Sequence, residues 1–98
     1  MEEITTHYGK NTIYNSSIIY TNHASQRLAQ RDISAKAIEL TKKFGTEIIN
    51  NNIRTVTIDF EACTIAADQG INLYPYYSTT IVVSPDNVLK TVYLKDID

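Results

Sequence analysis

The clearest helical pattern in the chain lies between Ser34 and Gly45, where apolar positions recur at the spacing of one helix face. That face consists of Ala37, Ile38, Leu40, Thr41 and Phe44, with Ile38 at its edge. The opposite face is charged, as expected for a helix that packs one side on a core. Ser34 is a favoured N-cap residue, and Gly45 stands where a left-handed C-terminal residue belongs. The pattern predicts a helix that begins after Ser34 and ends at Gly45.

A shorter helix is predicted just before it, from Asn22 to about Asp32. Ala24 and Leu28 form a narrow apolar seam, and Asn22 is a good N-cap candidate. Ile18–Tyr20 precedes this helix and is rich in residues that favour strands, so it predicts a short strand leading directly into the helix.

Strand patterns dominate the second half of the chain. Residues 46–49 and 53–60 predict two strands joined by an asparagine turn, because Val56, Ile58 and Phe60 alternate with polar residues. Residues 79–84 and 88–94 predict a hairpin around Pro85, Asp86 and Asn87, which suit a type I turn. Residues 61–69 are compatible with a helix or with continued strand, and Pro75 predicts a loop over 73–77.

The order of these elements predicts an α+β domain with an N-terminal helix pair packed on one face of a three- to four-stranded antiparallel sheet. Residues 1–11 are polar without a clear period and are predicted to be a flexible lead-in, which leaves residues 12–98 as a single domain. The predicted core consists of Leu28, Ile33, Ile38, Leu40, Phe44, Val56, Ile58, Phe60, Val82 and Val92.

Composition narrows the possible functions. A chain of 98 residues has room for one modest core. The formal net charge of −2 argues against a generally basic nucleic-acid-binding surface, so any such contact requires a local patch. One cysteine, Cys63, and two histidines predict no disulfide, no metal site and no cofactor. Without a long apolar run or a basic N-terminal region, the sequence predicts no membrane association and a cytoplasmic location.

One local patch is present in the first helix. His23, Arg27 and Arg31 stand four residues apart and therefore stack along one side of the helix predicted from Asn22 to about Asp32, here called α1; this set is named the α1 row. Like charges at this spacing repel each other, so the α1 row requires an anionic partner. That partner is either a carboxylate of the same chain, such as Asp32 or Glu39, or a phosphate.

These residues also carry a resemblance to a known family. The motif His23-Ala24-x-x-Arg27-x-x-x-Arg31-x-Ile33-Ser34, with the later Thr91-Val92-Tyr93, resembles a family of small bacterial domains of unknown function. That family is similar in layout to the barnase/RelE-like ribonuclease toxins. The resemblance covers roughly residues 18–94. The chain departs from the family at Asp32, where a glycine is usual, and in a longer segment over 62–77.

The resemblance implies a toxin-like domain that binds or cleaves RNA without a metal ion. His23 would transfer a proton, and Arg27 and Arg31 would hold the phosphate. Thr91 and Tyr93 would share a face of the last strand, with Tyr93 as a second acid or a stacking surface. The tyrosine loop, Tyr74, Tyr76 and Tyr77, would stack on bases. Each of these residues also has an ordinary structural interpretation: His23 can brace the strand–helix junction, and the tyrosine loop can cover a sheet edge.

The competing hypothesis is a protein-interaction module without enzymatic activity. It would bind an antitoxin or another protein through the tyrosine loop, because tyrosine and arginine are enriched at interfaces. If the α1 row and Tyr93 open onto one cleft, the catalytic hypothesis is favoured. If these residues are scattered, or are buried in ion pairs, the interaction module is favoured. The other histidine, His7, lies in a polar segment and is interpreted as a solvated surface residue.

Overall fold

A six-stranded mixed sheet forms the centre of the protein in the computed structural model, which describes residues 3–14 and 16–95. The strands are β1 (Thr5–His7), β2 (Ile19–Tyr20), β3 (Thr46–Asn50), β4 (Ile53–Thr57), β5 (Thr79–Val83) and β6 (Val88–Leu94). The helices are α1 (Asn22–Gln30), α2 (Ala35–Phe44) and α3 (Phe60–Asp68). The strand order is β1-β3-β4-β5-β6-β2, with β2 parallel to β6 and the other pairs antiparallel.

The α+β class predicted from the sequence is therefore confirmed, but the strand count and the barnase/RelE-like layout differ. The described residues form six strands rather than three or four, and the parallel strand β2 makes the sheet mixed. A third helix, α3, occupies the segment that the pattern left open. Of the two strands at the sheet edges, β2 was predicted from the pattern of Ile18–Tyr20. β1 was not predicted, because its three residues are too few to show a period of two in the sequence.

The helix pair begins at side-chain caps. Thr21, rather than the predicted Asn22, caps α1, and its Oγ1 accepts a hydrogen bond from the Ala24 backbone N–H at 3.0 Å. Ser34 caps α2 as predicted, accepting from the Ala37 N–H at 3.1 Å. Threonine and asparagine are both good N-cap residues, so adjacent candidates leave the first position ambiguous by one residue.

Gly45 ends α2, but not in the left-handed conformation that its position suggested. Its backbone is extended, with φ −63° and ψ 148°. A Cβ at this position would lie 2.4 Å from Cγ1 of Val56 and 2.6 Å from the Thr41 carbonyl oxygen. Glycine is required here because the chain passes closely between α2 and β4.

The second strand of the asparagine hairpin is shorter than predicted. β4 ends at Thr57, and Asp59 caps α3 by accepting from the Ala62 N–H at 2.9 Å. Phe60 therefore begins α3 with its side chain 61% exposed, and its assignment to the core was wrong.

The apolar interior consists of two clusters. The larger cluster lies between the helix pair and the sheet and contains Ile13, Ala24, Ile33, Ala37, Ile38, Val56, Ile81, Val83, Leu89 and Val92. The smaller cluster joins α3 to the end of α2 and contains Phe44, Ile58, Ala62, Cys63, Ala66 and Leu73. Leu28 and Leu40 are only partly buried against these clusters. Val82 is half-buried, because its neighbours Ile81 and Val83 are the β5 residues in the larger cluster and a strand alternates faces.

The N-terminal segment connects the two edges of the sheet. Of residues 1–11, predicted as a flexible lead-in, the first two lie outside the described residues, and Thr5–His7 forms strand β1, which pairs with β3 at one edge. The chain then places Ile13 in the larger cluster and reaches the opposite edge as β2. Ile13 and its neighbours, although rich in strand formers, do not form a strand.

Within the described ranges 3–14 and 16–95, no helix is long and apolar enough to cross a membrane.

Candidate functional site

The α1 row has the geometry that its spacing predicts. His23 and Arg31 are exposed and Arg27 is half-buried, with Arg27 Nε donating a hydrogen bond to His23 Nε2 at 3.4 Å. Ala24 and Leu28, the other side of α1, pack on the larger cluster. The α1 row therefore lies on the side of the helix that is turned away from the core.

No carboxylate among residues 3–14 and 16–95 lies within 4 Å of a charged nitrogen of the α1 row. Asp32 and Glu39, the two candidates named from the sequence, do not pair with it. The structure thus lacks, over this range, the internal ion-pair ladder that was one of the two explanations for the row.

Asp32 occupies the sharp turn between α1 and α2. Its φ of 54° lies in the left-handed region, which glycine adopts without steric cost and aspartate tolerates better than most residues. This conformation explains why glycine suits the position. It also leaves a carboxylate directly after Arg31.

A pocket joins this turn to the tyrosine loop. It has a volume of about 230 Å³ and lies between the α1–α2 turn and the loop. Its walls include Ile33 and Ser34 on one side and Tyr76, Tyr77 and Leu94 on the other. The wall also includes Asp32, the residue directly after Arg31, so the pocket lies next to the α1 row in the chain but contains none of its residues.

The three tyrosines of the loop have different surroundings. Tyr74–Tyr76 forms one turn of 3-10 helix, and Tyr74 is 57% exposed. The Tyr74 and Tyr77 rings lie 6.4 Å apart between centroids and are tilted by 30°. Tyr76 is partly buried and packs against both apolar clusters. Tyr74 is thus the exposed ring of the loop, whereas Tyr76 and Tyr77 are half-buried and pack against the interior.

Thr91 and Tyr93 lie on the other side of the sheet from α1. Val92, between them, packs in the larger cluster with Ala24, so its two neighbours alternate to the opposite face. There Thr91 pairs with Val82, and Tyr93 pairs with Thr80. The structure does not bring these two residues together with His23, Arg27 or Arg31.

Cys63 is only 1% exposed, although it contributes to the wall of a pocket that Tyr74 also lines. It is buried in the smaller cluster, and this burial, with a lesser contribution from the Asp59 carboxylate, raises the pKa of its thiol. A thiol held in its neutral form is a poor nucleophile and a poor metal ligand. The described residues also contain no group of three or more His, Cys, Asp or Glu side chains that could hold a metal ion.

Sequence reasoning missed a second polar cluster, at the β1 edge of the sheet. His7 and Glu47 are cross-strand partners, and His7 Nδ1 lies 3.0 Å from Glu47 Oε1. Glu47 is fully buried, whereas His7 is 31% exposed. The available signal was Glu47 itself, a charged residue inside a short apolar strand pattern.

Comparison of the chain with family models, curated proteins and solved structures returns no match.

Proposed function

We propose that the protein binds single-stranded RNA without a metal ion, with the α1 row on the phosphates and the accessible tyrosines on the bases. The observation that carries this proposal is the α1 row itself. Two guanidinium groups and an imidazole share the outer side of α1 with no carboxylate partner within the described residues. Unpaired arginines in such a row are well suited to phosphate, because the guanidinium fork matches two phosphate oxygens.

The pocket beside the α1–α2 turn supports an extended binding path. It extends from Asp32, which directly follows Arg31 in the chain, to Tyr76 and Tyr77, and the exposed ring of Tyr74 lies next to that of Tyr77. Base stacking on aromatic side chains is tolerant of sequence and contributes about 1–3 kcal/mol per base.

RNA cleavage is the more specific form of this proposal. His23 is its proton-transfer candidate, since its ring lies at the exposed N-terminal end of the α1 row. Thr91 and Tyr93 do not contribute to this form, because they lie across the sheet from α1. A cleaving domain would therefore need its second proton-transfer group from the α1 side of the molecule.

The test is the affinity for a short fluorescently labelled oligouridine, measured by anisotropy over a series of salt concentrations. Binding should weaken steeply with salt, and Arg27→Gln should reduce the slope of log affinity against log salt by about 0.7, the effect of one lost phosphate contact on a single strand. Lys43→Gln is the matched control, because Lys43 is exposed at the far end of α2 and carries the same charge.

Two results would oppose the proposal. One is an oligouridine affinity that does not depend on salt, and the other is an Arg27→Gln variant that behaves like Lys43→Gln. Either result would favour the protein-interaction module, whose supporting observation is the exposed Tyr74 ring beside Tyr77. Cleavage is measured in a separate assay, as the loss of full-length oligouridine in the presence of a chelator. The His23→Ala substitution should lower the cleavage rate by a larger factor than it lowers the binding affinity.

A further inference from the structure

The His7–Glu47 pair differs from a surface ion pair in the burial of its carboxylate and in the number of hydrogen bonds that the carboxylate accepts. Both Glu47 oxygens are used: Oε1 accepts from the Thr12 N–H at 3.0 Å and lies 3.0 Å from His7 Nδ1, and Oε2 accepts from Thr12 Oγ1 at 2.9 Å. Glu47 is fully buried, so these contacts replace its lost hydration. The carboxylate therefore holds both the imidazole and the loop that follows β1.

The consequence for His7 is a fixed ring orientation. An ionised carboxylate only accepts hydrogen bonds, so Nδ1 carries the proton that faces Glu47. Nε2 is then the ring nitrogen left for an external partner. A histidine oriented by a buried carboxylate in this way is pre-organised to donate to, or accept from, a ligand.

The surroundings of His7 form a small site. His7, Lys10, Asn11 and Thr12 line a pocket of about 220 Å³. The Asn11 side chain is already engaged, since Nδ2 donates to the Gly45 carbonyl oxygen at 3.1 Å and Oδ1 accepts from the Ile13 N–H at 3.1 Å. The ionisable groups of the pocket wall are thus an imidazole and an ammonium group, with Glu47 behind the imidazole.

We infer that this pocket binds a phosphate group, which hydrogen-bonds with His7 Nε2 and pairs with the Lys10 ammonium. A phosphate monoester carries a charge of about −1.5 to −2 near neutral pH and three strong acceptor oxygens, so it can contact both groups at once. Glu47 contacts the other ring nitrogen of His7 and is not part of the pocket wall, so the imidazole separates its carboxylate from the ligand. This site is separate from the α1 row, since β1 and β6 lie at opposite sides of β3, β4 and β5.

The site can be tested by NMR on ¹⁵N-labelled protein titrated with inorganic phosphate at constant ionic strength. The His7 ring nitrogens and the backbone amides of Lys10 and Thr12 should shift in a saturable way. Lys10→Gln should weaken the phosphate affinity by about threefold or more. Lys36→Gln is the matched control, because Lys36 is exposed on α2 and lies outside the pocket wall, and it should leave the affinity unchanged.

His7→Gln should abolish the saturable shifts of Lys10 and Thr12 while leaving the affinity for oligouridine intact, which separates this site from the α1 row. Adenosine monophosphate in place of inorganic phosphate distinguishes the sources: tighter binding indicates that the phosphate is part of a nucleotide, and equal binding indicates the free ion. Acetate at the same ionic strength should produce no saturable shift. The inference is overturned if phosphate leaves the His7 ring unshifted, if acetate produces the same shifts, or if Lys10→Gln binds as the unmodified protein does.

Discussion

At the scale of single residues, Asp32 combines a backbone requirement with a charge. The turn between α1 and α2 places it at φ 54°, and its carboxylate follows Arg31 directly in the chain. The backbone requirement favours glycine, and a phosphate-binding role for the α1 row favours a residue without negative charge. The first consideration predicts that glycine at this position raises the free energy of unfolding. The second predicts that any neutral residue here tightens phosphate binding.

Asp32→Gly should raise the free energy of unfolding by at most about 1 kcal/mol, since relief of the left-handed strain is partly offset by the greater flexibility of the unfolded chain. It should also tighten oligouridine binding several-fold. Asp32→Asn is the matched control for charge, because asparagine tolerates the left-handed region and is neutral. It should reproduce the gain in affinity with little change in stability, measured by urea denaturation. Weaker binding in both variants would mean that the carboxylate positions Arg31.

Other residues were predictable to the extent that their role is local. The Ser34 cap of α2 was predictable because neither adjacent residue is a good N-cap. At the start of α1, Thr21 and Asn22 are both good N-cap residues, so the sequence did not decide between them. The sequence predicted glycine at position 45 for a left-handed backbone conformation, which the structure does not show. Glycine is needed there because a Cβ would collide with Val56 on β4, and a local pattern does not contain that contact.

At the scale of elements, the orientation of α2 decides which side chains support the larger cluster. The sequence placed Leu40 on the apolar face and Ile38 at its edge, and assigned both side chains to the core. In the structure Ile38 is fully buried in the larger cluster, while Leu40 is partly buried against the smaller one. The face is turned because α2 contacts both the sheet and α3.

Ile38→Ala should therefore lower the free energy of unfolding by about 2–5 kcal/mol, the range for a large-to-small change in a closed core. Leu40→Ala removes a side chain of similar size from a partly solvated position and should cost about half as much. Urea denaturation with a shared m-value gives both numbers. If Leu40→Ala lowers the free energy of unfolding more than Ile38→Ala does, then α2 does not turn Ile38 into the larger cluster and Leu40 toward the smaller one.

The strands show the same contrast between local and distant causes. Residues 88–94 coincide with β6, because the hairpin turn and the alternation agree. The early end of β4 was not predictable from alternation, since Phe60 continues the pattern of Val56 and Ile58. The Asp59 cap ends it by beginning α3 instead.

At the scale of the whole molecule, the sheet edges and the meeting of the two clusters depend on distant contacts. Sequence patterns predicted the helix pair, the central strands and a short strand at β2, but neither β1 nor the parallel pairing of β2 with β6. For the candidate site, spacing alone predicted the α1 row. The pocket between the α1–α2 turn and the tyrosine loop, the position of Tyr93 and the Glu47 site all require the three-dimensional fold.

Tyr76 is the side chain that packs against both clusters. Its backbone also anchors the loop, because its N–H donates to the Leu73 carbonyl oxygen at 2.8 Å and its carbonyl oxygen accepts from Thr79 Oγ1 at 2.7 Å. Tyr76→Ala should lower the free energy of unfolding by about 2–4 kcal/mol, near the lower part of the range for aromatic truncation because the ring is only partly buried.

Tyr74→Ala is the matched control, since the same substitution two residues earlier removes an exposed ring. It should change stability by less than about 0.5 kcal/mol but weaken oligouridine binding, in proportion to one lost base stack. Thermal and urea denaturation, together with the anisotropy measurement, separate the two roles. A stable Tyr76→Ala variant would show that the clusters do not depend on this contact, and an unfolded Tyr74→Ala variant would make the tyrosine loop part of the core rather than part of a binding surface.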